Sequence, residues 1–191
     1  MKFSLNCIDP GTERIDFKKV SQSDIEEFHL YSLNKQIYEF LEFEPFVNIK
    51  ESEEYIKKII NRIDSGKGDY RFLRLKNKSE IIGLVGMHSY NHSRNSIEYG
   101  FAISPAHQKK GLFKEVTNHI LDNLFVKSNI YRIYSHTMEN NIPAIKSLLS
   151  IGFKKEGCLK DYYHKRGKYF NALLLAIIKT QYNNVNPIKD V

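Results

Sequence analysis

The hexapeptide Gln108-Lys-Lys-Gly111-Leu-Phe113 sets one glycine in a short basic turn, with Lys109, Lys110 and Lys114 close by. An alternating stretch, Ser96 to Ile103, precedes it and ends at Ser104-Pro105. A striped apolar segment follows without a break. Strand, turn and helix in that order aim free backbone N–H groups at whatever sits over the turn, and the helix dipole adds partial positive charge there. Such a site suits a phosphate. Asn141 caps another helix one strand later, so two helix N-termini are expected at the carboxyl ends of neighbouring strands.

The surrounding elements follow from periodicity. Glu13 to Val20 alternates as a first strand. Ser23 and Glu26 form a capping box for a helix carrying Ile25, Phe28, Leu33, Ile37 and Phe40, which fades at Glu42-Phe-Glu-Pro45. Asn48 and Glu51 cap a second helix, striped by Tyr55, Ile56, Ile59, Ile60 and Ile63. Strands are expected over Tyr70–Lys76 and Glu80–Tyr90, paired as a hairpin, and then over Ser96–Ile103. Leu112, Val116, Ile120, Leu121, Leu124 and Phe125 stripe a long helix. Ile130–Thr137 is a strand, and Ile145, Leu148 and Leu149 line a helix stopped by Gly152. Phe153–Lys160 and Phe170–Ile178 close the chain as a hairpin with Arg166-Gly167 at its tip. The order β-α-α-β-β-β-α-β-α-β-β makes an α/β chain with a mostly antiparallel first half.

At 191 residues the chain fits one domain, 1–191, with peripheral tails at 1–11 and 181–191, the latter polar and frayed. A hydrophobic share of 41% and a charged share of 27% are those of a globular protein. No apolar run is long enough to span a bilayer and no signal-like stretch opens the chain, so a cytoplasmic protein without a membrane partner is expected. Cys7 and Cys158 lack metal-ligand spacing, so reduced thiols and no metal are expected. The net charge of +7 favours an anionic partner. No helix-turn-helix, zinc-finger or aromatic RNA-binding signature points to nucleic acid.

Four segments resemble the GNAT superfamily of acyl-CoA N-acyltransferases, in the branch of ribosomal-protein N-terminal acetyltransferases (RimJ/RimL type). Ile97-Glu-Tyr-Gly-Phe-Ala-Ile103 is similar to its fourth strand, and Gln108-x-x-Gly111-x-Phe113 to its pyrophosphate loop. Glu139-Asn-Asn141-x-x-Ala144 with Gly152-Phe153 resembles its Asn-x-x-Ser/Ala…Gly-Phe element. Gly157-Cys-Leu-Lys160 and Gly167-Lys-Tyr-Phe-Asn171 resemble its closing hairpin. Together they cover residues 96 to 178. The resemblance implies a mixed, mostly antiparallel sheet flanked by about four helices and splayed between the fourth and fifth strands.

It also implies an acetyl-CoA-dependent N-acetyltransferase in which a primary amine, on a protein N-terminus or a small molecule, attacks the thioester directly. Backbone N–H groups around Phe101, Ala102 and Ile103 would polarise the carbonyl. The cofactor would lie on Gln108, Lys109, Lys110, Gly111, Leu112, Phe113 and Lys114, with Asn141 and Lys146 nearby. Phe113 stands where the family usually has a small residue, so its side chain must turn into the core. Leu148 stands where many members have a tyrosine acid, and Ala144 replaces a hydroxyl.

Glu98, sharing a strand face with the small residues Gly100 and Ala102, is the candidate catalytic base. His88, Tyr90 and Glu44 are the further candidates on the acceptor side. Tyr162, Tyr163 and His164 either wall that site or form an exposed edge that contacts a second copy. A non-catalytic acyl-CoA sensor on the same scaffold is the alternative.

Overall fold

The computed structural model describes residues 6–185. Positions 1–5 and 186–191 of the two expected tails lie outside the described residues, as does the Cys7 side chain; Cys158 is a free, exposed thiol.

Among the described residues seven strands form one sheet: β1 (Ile15–Lys19), β2 (Gly68–Leu75), β3 (Ile81–Asn91), β4 (Ser96–Ile103), β5 (Arg132–Met138), β6 (Lys154–Lys165) and β7 (Lys168–Ile178). Their spatial order is β1-β2-β3-β4-β5-β7-β6. Every pairing is antiparallel except β4 with β5. That parallel pair is short, joining only Ser96, Ile97 and Glu98 to Arg132, Ile133 and Tyr134. Beyond Glu98 the two strands part, and the rest of each edge faces a fork in the sheet.

Side-chain alternation sorts the strands into two cores. On one face Phe17, Leu73, Val85, Ile97, Tyr99 and Ile133 pack against the stripe of α3 (Leu112–Lys127) and against Leu148 of α4 (Ile142–Ile151). On the other, Tyr70, Phe72 and Ile81 meet Phe28 of α1 (Ile25–Ser32) and Ile56 and Ile59 of α2 (Ile49–Asp64). Glu98, Gly100 and Ala102 point to this second face.

Three expectations are corrected. The capping box lies two residues earlier than expected, where the Asp24 carboxylate accepts from the Ser21 N–H at 2.9 Å. The first helix ends at Ser32 rather than running to Phe40, because the Asn34 side chain accepts from the Gln36 N–H and starts a separate 3₁₀ turn, Lys35–Tyr38. Of the tail expected to fray, residues 181–185 belong instead to α5 (Lys179–Val185), anchored by a buried Tyr182 whose hydroxyl donates to Asp122 at 2.6 Å.

Candidate active site

The loop after β4 is built to leave its amides open. Gln108 Nε2 donates to the Ile103 carbonyl at 3.0 Å, folding the chain back on the strand end. Lys109 (φ 59°) and Gly111 (φ 76°) are both left-handed, a pairing that turns successive N–H groups toward a common side. The first bond of α3 runs from the Glu115 N–H to the Gly111 carbonyl, so the amides of Leu112, Phe113 and Lys114 precede the helical ladder. Leu112 is buried, and the Phe113 ring lies 4.2 Å from that of Phe101, in the core as its bulk requires. Lys109, Lys110 and Lys114 are exposed. The loop therefore presents main-chain donors and three cations, with its one large side chain turned inward. That is a fit to a diphosphate.

Arg14, just before β1, braces this loop. Its guanidinium bonds Glu115 at 2.5 Å and donates to the Lys110 carbonyl at 3.2 Å. The Thr12 hydroxyl donates to the same carboxylate at 2.5 Å. Burial pushes the Glu115 carboxyl up, but the bonds from Thr12 and Arg14 outweigh it and hold the group below its usual range. Nothing in the spacing of Arg14 announced this contact, which joins residues a hundred positions apart.

At the fork, three strands bring their side chains to one carboxylate. Register sets Glu98 beside His88 on one side and beside Tyr134 on the other. His88 Nδ1 lies 3.2 Å from Glu98 Oε2, and His136 Nδ1 lies 2.8 Å from Oε1. Desolvation raises the carboxyl, yet the hydrogen bonds from His136 and His88 prevail and hold it well below the ordinary carboxylate range. An ionised carboxylate only accepts, so both Nδ1 atoms carry the proton. In a neutral ring that leaves the lone pair on Nε2. A Cβ placed on Gly100 would stand 3.3 Å from His88 Nε2, so the glycine keeps open the space into which that nitrogen points. The Tyr162 ring stacks on His136 at 5.5 Å and meets Tyr163 edge-on at 5.0 Å, so this part of the last hairpin walls the cluster.

His136 was absent from the expected set. It continues the face of Arg132 and Tyr134, and that parity was legible; its approach to Glu98 depended on which strand β5 joins.

Two of the expected acceptor-side residues, Tyr90 and Glu44, are turned to other partners. Tyr90 shares the parity of His88 on paper. A register shift after His88, with Ser89 left-handed at φ 56°, turns its ring instead to His92 at 4.3 Å and to the α3-side core. Glu44 is exposed and held in a two-point pair by Arg166 at 2.6 and 2.8 Å, whose bonds keep its carboxyl below the usual range. The Asn141 side chain is used at both ends, accepting from the Ala144 N–H at 3.3 Å and donating to Thr137 Oγ1 at 3.0 Å, as a helix cap does. Lys146 is exposed on α4, and Leu148 is fully buried. Phe101 and Ile103 pack against the α3-side core, and Ala102 faces α1 and the segment after it, with the hydroxyl of Tyr31 in α1 lying 3.5 Å from its carbonyl.

The arrangement joins an anion cradle to an imidazole–carboxylate–imidazole cluster along a strand with one open edge. Among the described residues no group of acidic, histidine and cysteine side chains is arranged to hold a metal ion, and no helix is long and apolar enough to cross a membrane.

Known proteins share the sequence and the fold. An uncharacterized N-acetyltransferase, p20, from Bacillus licheniformis is 25% identical over 171 residues, covering 90% of this chain and 96% of that protein. The crystal structure of spermidine N-acetyltransferase from Vibrio cholerae, solved with CoA and spermine, is 26% identical, covers 88% of this chain and 98% of its own, and superposes with a TM-score of 0.76. The ribosomal L7/L12 alpha-N-protein acetyltransferase RimL, solved with coenzyme A, superposes at 0.80 over 87% of this chain and 95% of its own; at 16% identity it shows the shared fold. The model of the acetyltransferase (GNAT) domain matches residues 14–154. With the open-edged fourth strand and the amide cradle already in view, that match shows that the chain belongs to the GNAT acetyltransferase family.

Proposed function

We propose that the chain transfers an acetyl group from acetyl-CoA to a primary amine by direct attack at the fork between β4 and β5. Bound acetyl-CoA supplies the thioester and a thiolate leaving group. The amides of Leu112, Phe113 and Lys114 take the diphosphate, and the exposed lysines add charge that draws it in. The backbone at Phe101–Ile103, free of β5 on one edge, lies alongside the reacting carbonyl. Holding the two reactants in line supplies a large part of the rate gain.

An ammonium cannot attack, so the nitrogen must give up a proton. Glu98, held low, is a poor acceptor, whereas His88 Nε2 has a lone pair and open space over Gly100. His88 therefore takes the proton, and Glu98 fixes its tautomer through Nδ1. The amine lone pair forms the C–N bond and the C–S electrons leave with sulfur; the proton lost from the ammonium before attack is carried on the imidazole, and the second, lost from nitrogen after attack, goes to the departing thiolate. The observation that carries this reading is the Glu98–His88 pair aimed past Gly100 at the open edge of β4. It is supported by the CoA and spermine in the Vibrio cholerae relative and by the CoA in RimL.

Thiol release from acetyl-CoA, followed across a panel of peptides and small amines, tests the reading. His88→Gln is expected to lower kcat by roughly 10²-fold, the usual contribution of a positioned acid–base group, with the dissociation constant for acetyl-CoA unchanged. Undiminished turnover in that variant would remove His88 from the reaction. Tight acetyl-CoA binding with no thiol release on any amine would favour the sensor reading instead.

A further inference from the structure

A second feature opens beside the same cluster. The register shift after His88 carries β3 away from β4, and at that point a cavity of about 270 Å³ lies between the β3–β4 turn and strands β5 and β7. His136 belongs to both places: Nδ1 bonds Glu98, and the ring lines the cavity. No aspartate or glutamate lines it among the described residues.

Its polar groups are mostly donors. Asn91 Oδ1 already accepts from the Ser93 hydroxyl at 2.9 Å and the Arg94 N–H at 3.0 Å, so its amide N–H groups are what it has left to offer. The Tyr134 and Ser89 hydroxyls add two more. Arg132 is matched in charge by Glu156, which it grips at both guanidinium nitrogens. Arg94 lines the cavity with no carboxylate partner among the described residues. A donor-rich cavity with one uncompensated guanidinium is complementary to an anion and repels a cation.

We propose that this cavity receives a carboxylate carried by the acceptor, a few bonds from the amine that is acetylated. The inference rests on the acetyl-transfer reading and narrows its substrate: the acceptor is an amino acid or a protein N-terminus with an acidic side chain close behind, and not a polyamine. A polyamine reaching past His136 would set an ammonium against Arg94, which separates this chain from the spermidine enzyme it resembles.

The test compares acceptors that differ only in charge beyond the amine. Four are offered to the intact chain with acetyl-CoA: the amidated peptides Ser-Asp-Glu-Ala and Ser-Lys-Lys-Ala, free glutamate, and spermidine. The acidic peptide is expected to exceed the lysine peptide and spermidine in kcat/KM by about tenfold or more, the scale of one charge-assisted hydrogen bond. Arg94→Ala, a change on an exposed turn, should collapse that ratio toward one through KM, with acetyl-CoA affinity unaltered. Glutamate matching the acidic peptide identifies a free amino acid as the source; the peptide alone being used identifies a protein end.

Calorimetry of the acidic peptide with the CoA-saturated chain reads the cavity without turnover. Absence of thiol release with every amine, while the acidic peptide still binds through Arg94, would sink the transfer reaction and uphold the cavity. Preference for spermidine or the lysine peptide, or acidic-peptide binding indifferent to Arg94→Ala, would overturn the assignment.

Discussion

Glu98 and His136 sit on strands that have just parted, and a 2.8 Å hydrogen bond between Oε1 and Nδ1 ties them together at the fork. The backbone ladder between β4 and β5 stops at Glu98 and Tyr134, so this side-chain bond closes the inner end of the opening. The same carboxylate orients His88 from the opposite side. One residue therefore sets both the width of the fork and the tautomer of the proposed proton acceptor.

Glu98→Gln tests that double duty. An amide oxygen can accept from one Nδ1–H, but its NH₂ then meets the other ring donor to donor, and one imidazole must switch tautomer. We expect kcat to fall by roughly 10²-fold with acetyl-CoA affinity retained. Residues acting as a unit are not additive, so Glu98→Gln with His88→Gln should be no slower than the worse single variant. Multiplying defects in steady-state kinetics would show that the two act independently.

Gly111 stands at φ 76°, where an L side chain is strained, yet a Cβ there would meet nothing nearer than an Arg14 nitrogen at 3.7 Å. Gly111→Ala should therefore cost about 1–2 kcal/mol of stability through backbone conformation alone. Gly111→Glu adds a negative charge beside the diphosphate cradle, and the dissociation constant for acetyl-CoA should rise about tenfold or more, the effect of 1.4 kcal/mol. Thermal melts and titration calorimetry separate the two effects.

Asp24 is 1% exposed and bonds Lys18 at 2.5 Å, Arg74 at 3.1 Å and both donors of Ser21. Burial alone would raise its pKa; the bonds from Lys18 and Ser21 win and lower it. A carboxyl depressed in the folded state adds stability that is complete above its unfolded pKa, about 3.9, and is lost as pH falls through the folded value. Asp24→Asn should cost about 1.5–3 kcal/mol at neutral pH, and the gap in melting temperature from the parent should narrow below about pH 4. A gap that stays constant into acid would place the loss in packing rather than charge.

The stripes of α2 and α3, the alternation of β2 to β5 and the Arg166-Gly167 tip were legible because each is a local pattern. The tip takes left-handed φ at both residues, 51° and 72°, as a two-residue hairpin turn requires. The loop that faces the fork was legible for the same reason. What local pattern does not carry is where strands meet. Tyr90 keeps the parity of His88 in sequence and loses it to one bulge. His136 reaches Glu98 because β5 joins β4 in parallel, and Arg14 meets Glu115 because β1 lies near the start of α3. The buried Tyr182 was hidden in a polar tail, where one aromatic residue outweighs the composition around it.

Lys165, at the end of β6, is 7% exposed, and its ammonium donates to the carbonyls of Tyr38, Glu39 and Leu41 in the segment between α1 and α2. That segment stands over Ala102 near the end of β4, so the closing hairpin holds this loop down on the sheet. Lys165→Met keeps the aliphatic stem and removes every donor, leaving the Tyr38 carbonyl only its bond from the Leu41 N–H and taking the ammonium from the carbonyls of Glu39 and Leu41; we expect a loss of about 1.5–3 kcal/mol in chemical denaturation. The neighbouring Arg166–Glu44 pair lies in solvent, where a geometrically sound ion pair adds little, so Arg166→Ala should leave the denaturation midpoint close to the parent's. The two variants should also part kinetically: a loosened loop is expected to raise acceptor KM and to spare acetyl-CoA affinity, because the loop proposed to take the diphosphate is braced separately by Arg14. Equal losses in both variants would mean that the exposed pair, and not the buried ammonium, holds the loop down.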